Sequence, residues 1–74
     1  MEELVLKRLV EIRSQRGLTQ EQVAQRLMVH KSTYNRMESG GIKIKIIDIP
    51  RIAEALGMTV DELNKALFSA LGVA

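Results

Sequence analysis

The sequence predicts an all-α fold, a compact five-helix bundle. Three observations carry that expectation. Apolar residues return at helical spacing in successive short segments. Two capping boxes, Thr19-Gln20-Glu21-Gln22 and Thr59-Val60-Asp61-Glu62, mark helix starts. Glycines stand where helices should stop, at Gly17, Gly40-Gly41 and Gly57.

Residues 2–16 form the first expected helix, in which Leu6, Leu9, Val10 and Arg13 recur at helical spacing and Val5 and Ile12 widen the apolar face. Gly17 sits where a left-handed residue closes a helix, and Leu18 can pack back onto it. Thr19 starts the second helix, with Val23, Ala24 and Leu27 as its buried stripe. Ala24 is small enough to let another helix cross closely above it. A helix of roughly eight residues is not stable alone, so this one depends on tertiary packing. Met28-Val29-His30 is the next turn.

The third helix is expected from about Lys31 to Glu38, with Tyr34 and Met37 inward. Lys31, Ser32, Asn35 and Arg36 fall on its outward side. Ile42 to Ile47, IKIKII, then alternates apolar and basic residues with the period of a strand. Asp48 is placed to cap a fourth helix at about 49–56, and Pro50 is tolerated in its first turn. That helix would bury Ile49, Ile52, Ala53 and Leu56. A fifth, at about 60–71, would turn Val60, Leu63, Leu67 and Leu71 inward. No repeat, linker or low-complexity segment interrupts the chain, so residues 1–74 are expected to form a single domain.

Composition excludes several classes of function. The 74 residues include no cysteine, so neither a disulfide nor a thiolate metal site is available, which fits a reducing compartment. One His, one Tyr, one Phe and no Trp leave almost no room for a catalytic constellation on His or Cys, or for an aromatic base-stacking platform. Paired acidic residues sit at helix starts, where capping explains them. No enzyme activity, cofactor or metal is expected. No apolar run approaches the ~20 residues of a membrane span. The start MEELVLKR is acidic and lacks a secretory pattern, so a cytoplasmic location is expected, with no membrane partner.

The net charge is only +2, but it is unevenly spread. Residues 26–51 hold six Lys/Arg (Arg26, Lys31, Arg36, Lys43, Lys45, Arg51) against Glu38 and Asp48, whereas residues 52–74 hold Lys65 against three acids. The basic middle coincides with the second and third helices and the loop after them. That pattern suits a polyanionic partner better than an even surface would.

The order TQ-x-x-x-A-x-x-L-x-V, then a short polar helix ending in Met-Glu-x-Gly, then ALGMTVDEL, closely resembles the Cro/CI-type helix-turn-helix family of phage repressors and bacterial regulators. The resemblance covers about residues 6–67. It implies a lambda repressor-like DNA-binding domain, usually dimeric, with the helix-turn-helix at about 19–38 and the helix at about 31–38 as recognition helix. A major groove admits one α-helix, whose N-terminal side chains meet base edges. Lys31, Ser32 and Asn35 hold those positions, with Arg36 beside them. Lys or Arg can donate to guanine, and Asn can pair bidentately with adenine. Gln20 matches the family position that contacts backbone phosphate and braces the recognition helix. Lys43 and Lys45 follow where the family loop meets phosphates. The resemblance also implies that Arg13 and Glu38, two charges on core-facing stripes, form a partly buried ion pair with a structural role.

The chain departs from the family pattern in four places. Met28 stands where the turn usually has Gly, and a positive φ there costs a residue with a Cβ on the order of 1 kcal/mol. His30 replaces the usual Ser or Thr cap; it is read first as a turn residue and second as a phosphate donor when protonated. Tyr34, where a branched aliphatic is common, is read as core. The five isoleucines of Ile42–Ile49 supply either extra core or an interface, for example a short strand pairing across a dimer axis.

Together these readings predict a sequence-specific regulator of double-stranded DNA, a repressor acting as a homodimer on a two-fold operator. Phe68, off the inward stripe of the fifth helix, and the apolar run Ala66–Leu71 would serve self-association. The alternative is an antitoxin or other protein-binding regulatory module on the same fold.

Overall fold

The computed structural model describes residues 3–69. Five α-helices follow one another: α1 (Glu3–Gln15), α2 (Gln20–Leu27), α3 (Lys31–Ser39), α4 (Ile49–Leu56) and α5 (Val60–Phe68). No strand occurs among the described residues. α2 packs against α3 and α4, and α1 against α3 and α5. Val5, Leu9, Val23, Tyr34, Ile52, Leu56, Leu63 and Leu67 form the fully enclosed centre of one apolar core. Tyr34 is the largest side chain enclosed there, and its hydroxyl is the one buried side-chain polar atom left without a hydrogen bond among the described residues.

Local sequence explains the helix ends. The Gly17 turn closes α1 with a left-handed residue at φ 70°, and the Leu18 amide returns to the Arg13 carbonyl at 3.2 Å. Thr19 and Gln22 cap α2 reciprocally, the Gln22 amide donating to the Thr19 hydroxyl at 3.1 Å and the Thr19 amide to the Gln22 side chain at 2.8 Å. Thr59 and Glu62 repeat the arrangement for α5.

The alternating stretch is a loop and not a strand. Ile44 is buried and Ile42 half-buried, but from Ile46 the chain winds into a single 3-10 turn, Ile46–Asp48, which leaves Ile46 and Ile47 91% and 78% exposed. The Asp48 carboxylate accepts the Lys45 amide at 2.8 Å and closes that turn. Asp48 therefore does not cap α4: its backbone is already helical and its side chain is engaged elsewhere. Val60 is likewise not inward. At the first position of α5 it lies at the edge of the core, 40% exposed. Leu71, and the expected extension of α5 to it, lie outside the described residues.

Arginines fasten the helix ends across the fold. Arg26 of α2 donates to the Ala55 carbonyl at the end of α4, at 2.8 Å. Arg51 of α4 donates in return to the Leu27 carbonyl at the end of α2, at 2.6 Å. Arg16 reaches the Leu56 and Gly57 carbonyls, and Arg8 the Ala66 carbonyl. Arg16, Arg26 and Arg51 thereby meet carbonyls that the ends of α2 and α4 leave without a partner inside the helix. Arg26 and Arg51, counted with the basic middle of the sequence, are thus engaged within the fold.

Candidate nucleic-acid interface

The angle of α3 is set first by the turn before it. Met28 adopts the left-handed conformation at φ 59° with its side chain 90% exposed. Its backbone strain, on the order of 1 kcal/mol, is met by two returning amides, Met28 to Gln25 at 3.1 Å and Val29 to Ala24 at 3.0 Å. The turn thus keeps the glycine-type geometry despite its methionine. His30 is more than a turn residue: it is extended, and its Nδ1 accepts the Ser32 amide at 3.2 Å, which makes it the N-cap of α3. The same nitrogen lies 2.8 Å from the Ser32 hydroxyl. With Nδ1 accepting, the ring proton sits on Nε2, so neutral His30 already offers an outward donor.

The back of α3 is held by Tyr34, Met37 and Glu38, all buried. Arg13 and Glu38 form the expected pair. Arg13 Nε donates to one carboxylate oxygen at 2.7 Å and Nη2 to the other at 3.2 Å, while Nη1 donates to the Leu18 carbonyl at 2.8 Å. Burial pushes the Glu38 carboxyl up, but the hydrogen bonds it accepts, led by those from Arg13, outweigh burial and hold it below the usual carboxylate range. Glu38 in turn raises Arg13.

The front of α3 carries Lys31, Ser32, Asn35 and Arg36, all exposed. No hydrogen bond or ion pair engages the side-chain nitrogens of Lys31, Arg36, Lys43 or Lys45 among the described residues. Lys43 and Lys45 are exposed on the loop after α3, where the Ile42 amide bonds the Arg36 carbonyl at 3.1 Å. They border a shallow cleft shared with Val29 and Met37, on the same side as the α2–α3 turn.

Gln20 and Asn35 do not simply point outward. Gln20 Nε2 donates to Glu38 at 2.9 Å, and Asn35 Nδ2 donates to Gln20 Oε1 at 3.1 Å. The hydrogen bonds therefore run without a gap from Arg13 in α1 through Glu38 and Gln20 to Asn35. Sequence reasoning named all four residues, with Glu38 paired to Arg13 and Gln20 bracing α3, but missed the bonds that join Gln20 to Glu38 and to Asn35. Asn35 and Glu38 lie three residues apart on one helix, a spacing that puts both within reach of one partner, which was the available signal.

Among the described residues, no cluster of side chains suited to a metal ion occurs, and no helix is long and apolar enough to cross a membrane. Comparison with known families matches residues 9–63, well over half of the chain, to the family described as helix-turn-helix. Neither the curated proteins nor the solved structures contain a match.

Proposed function

This chain belongs to the Cro/CI-type helix-turn-helix family of DNA-binding regulators, and from that premise we propose that it is a sequence-specific repressor binding a two-fold operator as a homodimer in the cytoplasm. Its role is binding, not catalysis. The observation that carries this reading is the division of α3: Tyr34, Met37 and Glu38 fix its back in the core, while Lys31, Ser32, Asn35 and Arg36 are left on one exposed face.

The N-terminal half of α3 enters the major groove, where Lys31 and Arg36 suit guanine acceptors and Asn35 suits adenine. Gln20, at the exposed start of α2, lies beside the path of the backbone. There the free amides of the helix end favour a phosphate. Lys43 and Lys45 follow the same strand. His30 adds a donor through Nε2. Two subunits would place their recognition helices about 34 Å apart, one turn of duplex.

The surface proposed for self-association is an apolar cleft lined by Ile44, Ile46, Ile49, Pro50, Val60 and Phe68. It joins the exposed Ile46 of the loop to the end of α5. The same cleft favours the second reading, a regulator that holds another protein there, as an antitoxin does.

Titration against promoter DNA from the protein's own locus and against a scrambled duplex, in one buffer, tests the proposal. We expect a preference for the promoter, reduced by roughly 1–3 kcal/mol in Asn35→Ala. Equal affinity for both duplexes would sink sequence-specific readout. A mass that stays monomeric at every concentration, with and without DNA, would sink the homodimer.

A further inference from the structure

The hydrogen bonds between Glu38 and Asn35 have a direction. A glutamate carboxylate can only accept. The oxygens of Glu38 take Arg13 Nε, Arg13 Nη2 and Gln20 Nε2. The face of the Gln20 amide toward Glu38 must therefore be its NH2, since turning the amide over would set a carbonyl oxygen against a carboxylate. That leaves Gln20 Oε1 on the far side, 3.1 Å from Asn35 Nδ2. An oxygen there requires a donor, so the Asn35 amide is fixed in its turn, with Nδ2 toward Gln20 and Oδ1 turned away. An asparagine alone on a helix surface has no such preference and presents either end.

We infer that Glu38 is a positioning residue for base readout: through Gln20 it orients the Asn35 amide so that its carbonyl oxygen faces the groove and selects an exocyclic amino group. This rests on the reading of Asn35 as a base contact. In the major groove each base pair carries one such amino group, on adenine N6 or cytosine N4. Asn35 keeps a second N–H on Nδ2, which suits the N7 acceptor beside the adenine amino group. The ion pair that anchors α3 is thus also the origin of the polarity of one recognition side chain.

The test begins with fragments selected from random duplex DNA by the wild type and by Asn35→Ala. The position whose preference relaxes is the base pair Asn35 reads. Its amino group is then deleted, with purine replacing adenine or 2-pyrimidinone replacing cytosine. Affinity for intact and amino-deleted duplex is compared in the wild type, Gln20→Ala and Glu38→Gln. Gln20→Ala leaves the Arg13–Glu38 pair in place and frees Asn35 to turn over. Glu38→Gln keeps the side-chain length but can offer Gln20 an N–H, which lets the whole series reverse. Should Glu38→Gln not fold, Arg13→Met with Glu38→Leu removes the carboxylate without leaving a lone buried charge.

The wild type is expected to lose about tenfold on amino deletion, and the variants much less. A merely structural role for Glu38 would weaken both duplexes alike and leave their ratio unchanged. A wild type that selects no sequence, or an Asn35→Ala protein that relaxes no position, would overturn the base-contact reading and the inference with it. Indifference of the wild type to the amino group, or full discrimination in the variants, would overturn the inference alone.

Discussion

The turn after α2 and the turn after α4 follow one backbone path with different side chains. In each, the helix ends on a leucine, Leu27 or Leu56, and the next residue is left-handed, Met28 at φ 59° or Gly57 at φ 74°. The following residue, Val29 or Met58, packs on the core and returns its amide to an alanine carbonyl, Ala24 at 3.0 Å or Ala53 at 2.9 Å. An extended residue, His30 or Thr59, then caps the next helix. The match continues inward, where Tyr34 stands as Leu63 does and Glu38 as Leu67 does, all four buried. Around the second turn each position holds a residue well suited to it: glycine, a reciprocal cap and an apolar anchor. Around the first turn the same geometry is reached with a strained methionine, a one-sided histidine cap and a buried charge. The shared path shows that backbone geometry is common property of the two turns. The departures gather around the helix with the exposed polar face.

Five substitutions test that contrast, and the largest effect is expected at Glu38. Glu38→Ala leaves Arg13 without its partner and should cost about 3–5 kcal/mol. Leu67→Ala should cost a similar 2–5 kcal/mol or so, through lost packing and a cavity. Acid separates the two. The Glu38 carboxyl is held below its ordinary value in the folded state. Its stabilisation is therefore full above the unfolded value of about 4.3 and is lost as pH falls through the lower folded value. Denaturant unfolding from pH 7 down to 3 should show that loss in the wild type and in Leu67→Ala, and a smaller one in Glu38→Ala. Parallel curves for all three would mean that the charge at Glu38 acts only as bulk.

Gly57→Ala comes next, at about 1–2 kcal/mol, because a left-handed residue gains a Cβ. That Cβ would meet only Arg16 Nη1 at 3.6 Å, an ordinary contact, so the loss reports conformation and not collision. Thr59→Ala should cost about 1 kcal/mol through the lost cap. Met28→Gly is the smallest effect and has the opposite sign. Relief of about 1–2 kcal/mol of strain is offset by roughly 0.4–1 kcal/mol of extra freedom in the unfolded chain. A net gain of about 0.5–1 kcal/mol in thermal or denaturant unfolding is expected. A loss instead would show that the exposed methionine contributes something glycine cannot.

What could be read in the sequence was largely local. The capping boxes at Thr19 and Thr59 and the glycine ends are bonds between residues a few positions apart, and the residue types at those positions determine them. The Arg13–Glu38 pair was legible for another reason: two charges on apolar stripes need a partner, and the family pattern offered each the other. The alternation of IKIKII misled past Ile44 because a strand needs a neighbour, and Asp48 instead closed a turn on Lys45. The same bond left Asp48 unable to cap α4. His30 was underrated because cap preferences rank side chains by frequency, whereas here an imidazole nitrogen lies within reach of the Ser32 amide. The arginine bonds at the helix ends join residues 24 to 58 positions apart, so they exist only once α1, α2, α4 and α5 have met. Among the candidate site residues, the outward face of α3 followed from helical spacing alone. The bond between Gln20 and Asn35 required the start of α2 to lie against α3.

The arginines have one more consequence, for the counting of ions. Arg8, Arg13, Arg16, Arg26 and Arg51 all donate to acceptors within the chain. Of the 11 basic residues, a polyanion docked on the α3 side would meet chiefly Arg36, Lys31, Lys43 and Lys45. About four phosphates neutralised per chain would release about 0.9 counterion each, so the logarithm of affinity should fall with the logarithm of salt at a slope near −4 per chain. The Arg26 and Arg51 bonds that join α2 to α4 are short and partly buried, where screening is weak. Raising the ionic strength should therefore detach the protein from a polyanion well before it loosens the fold.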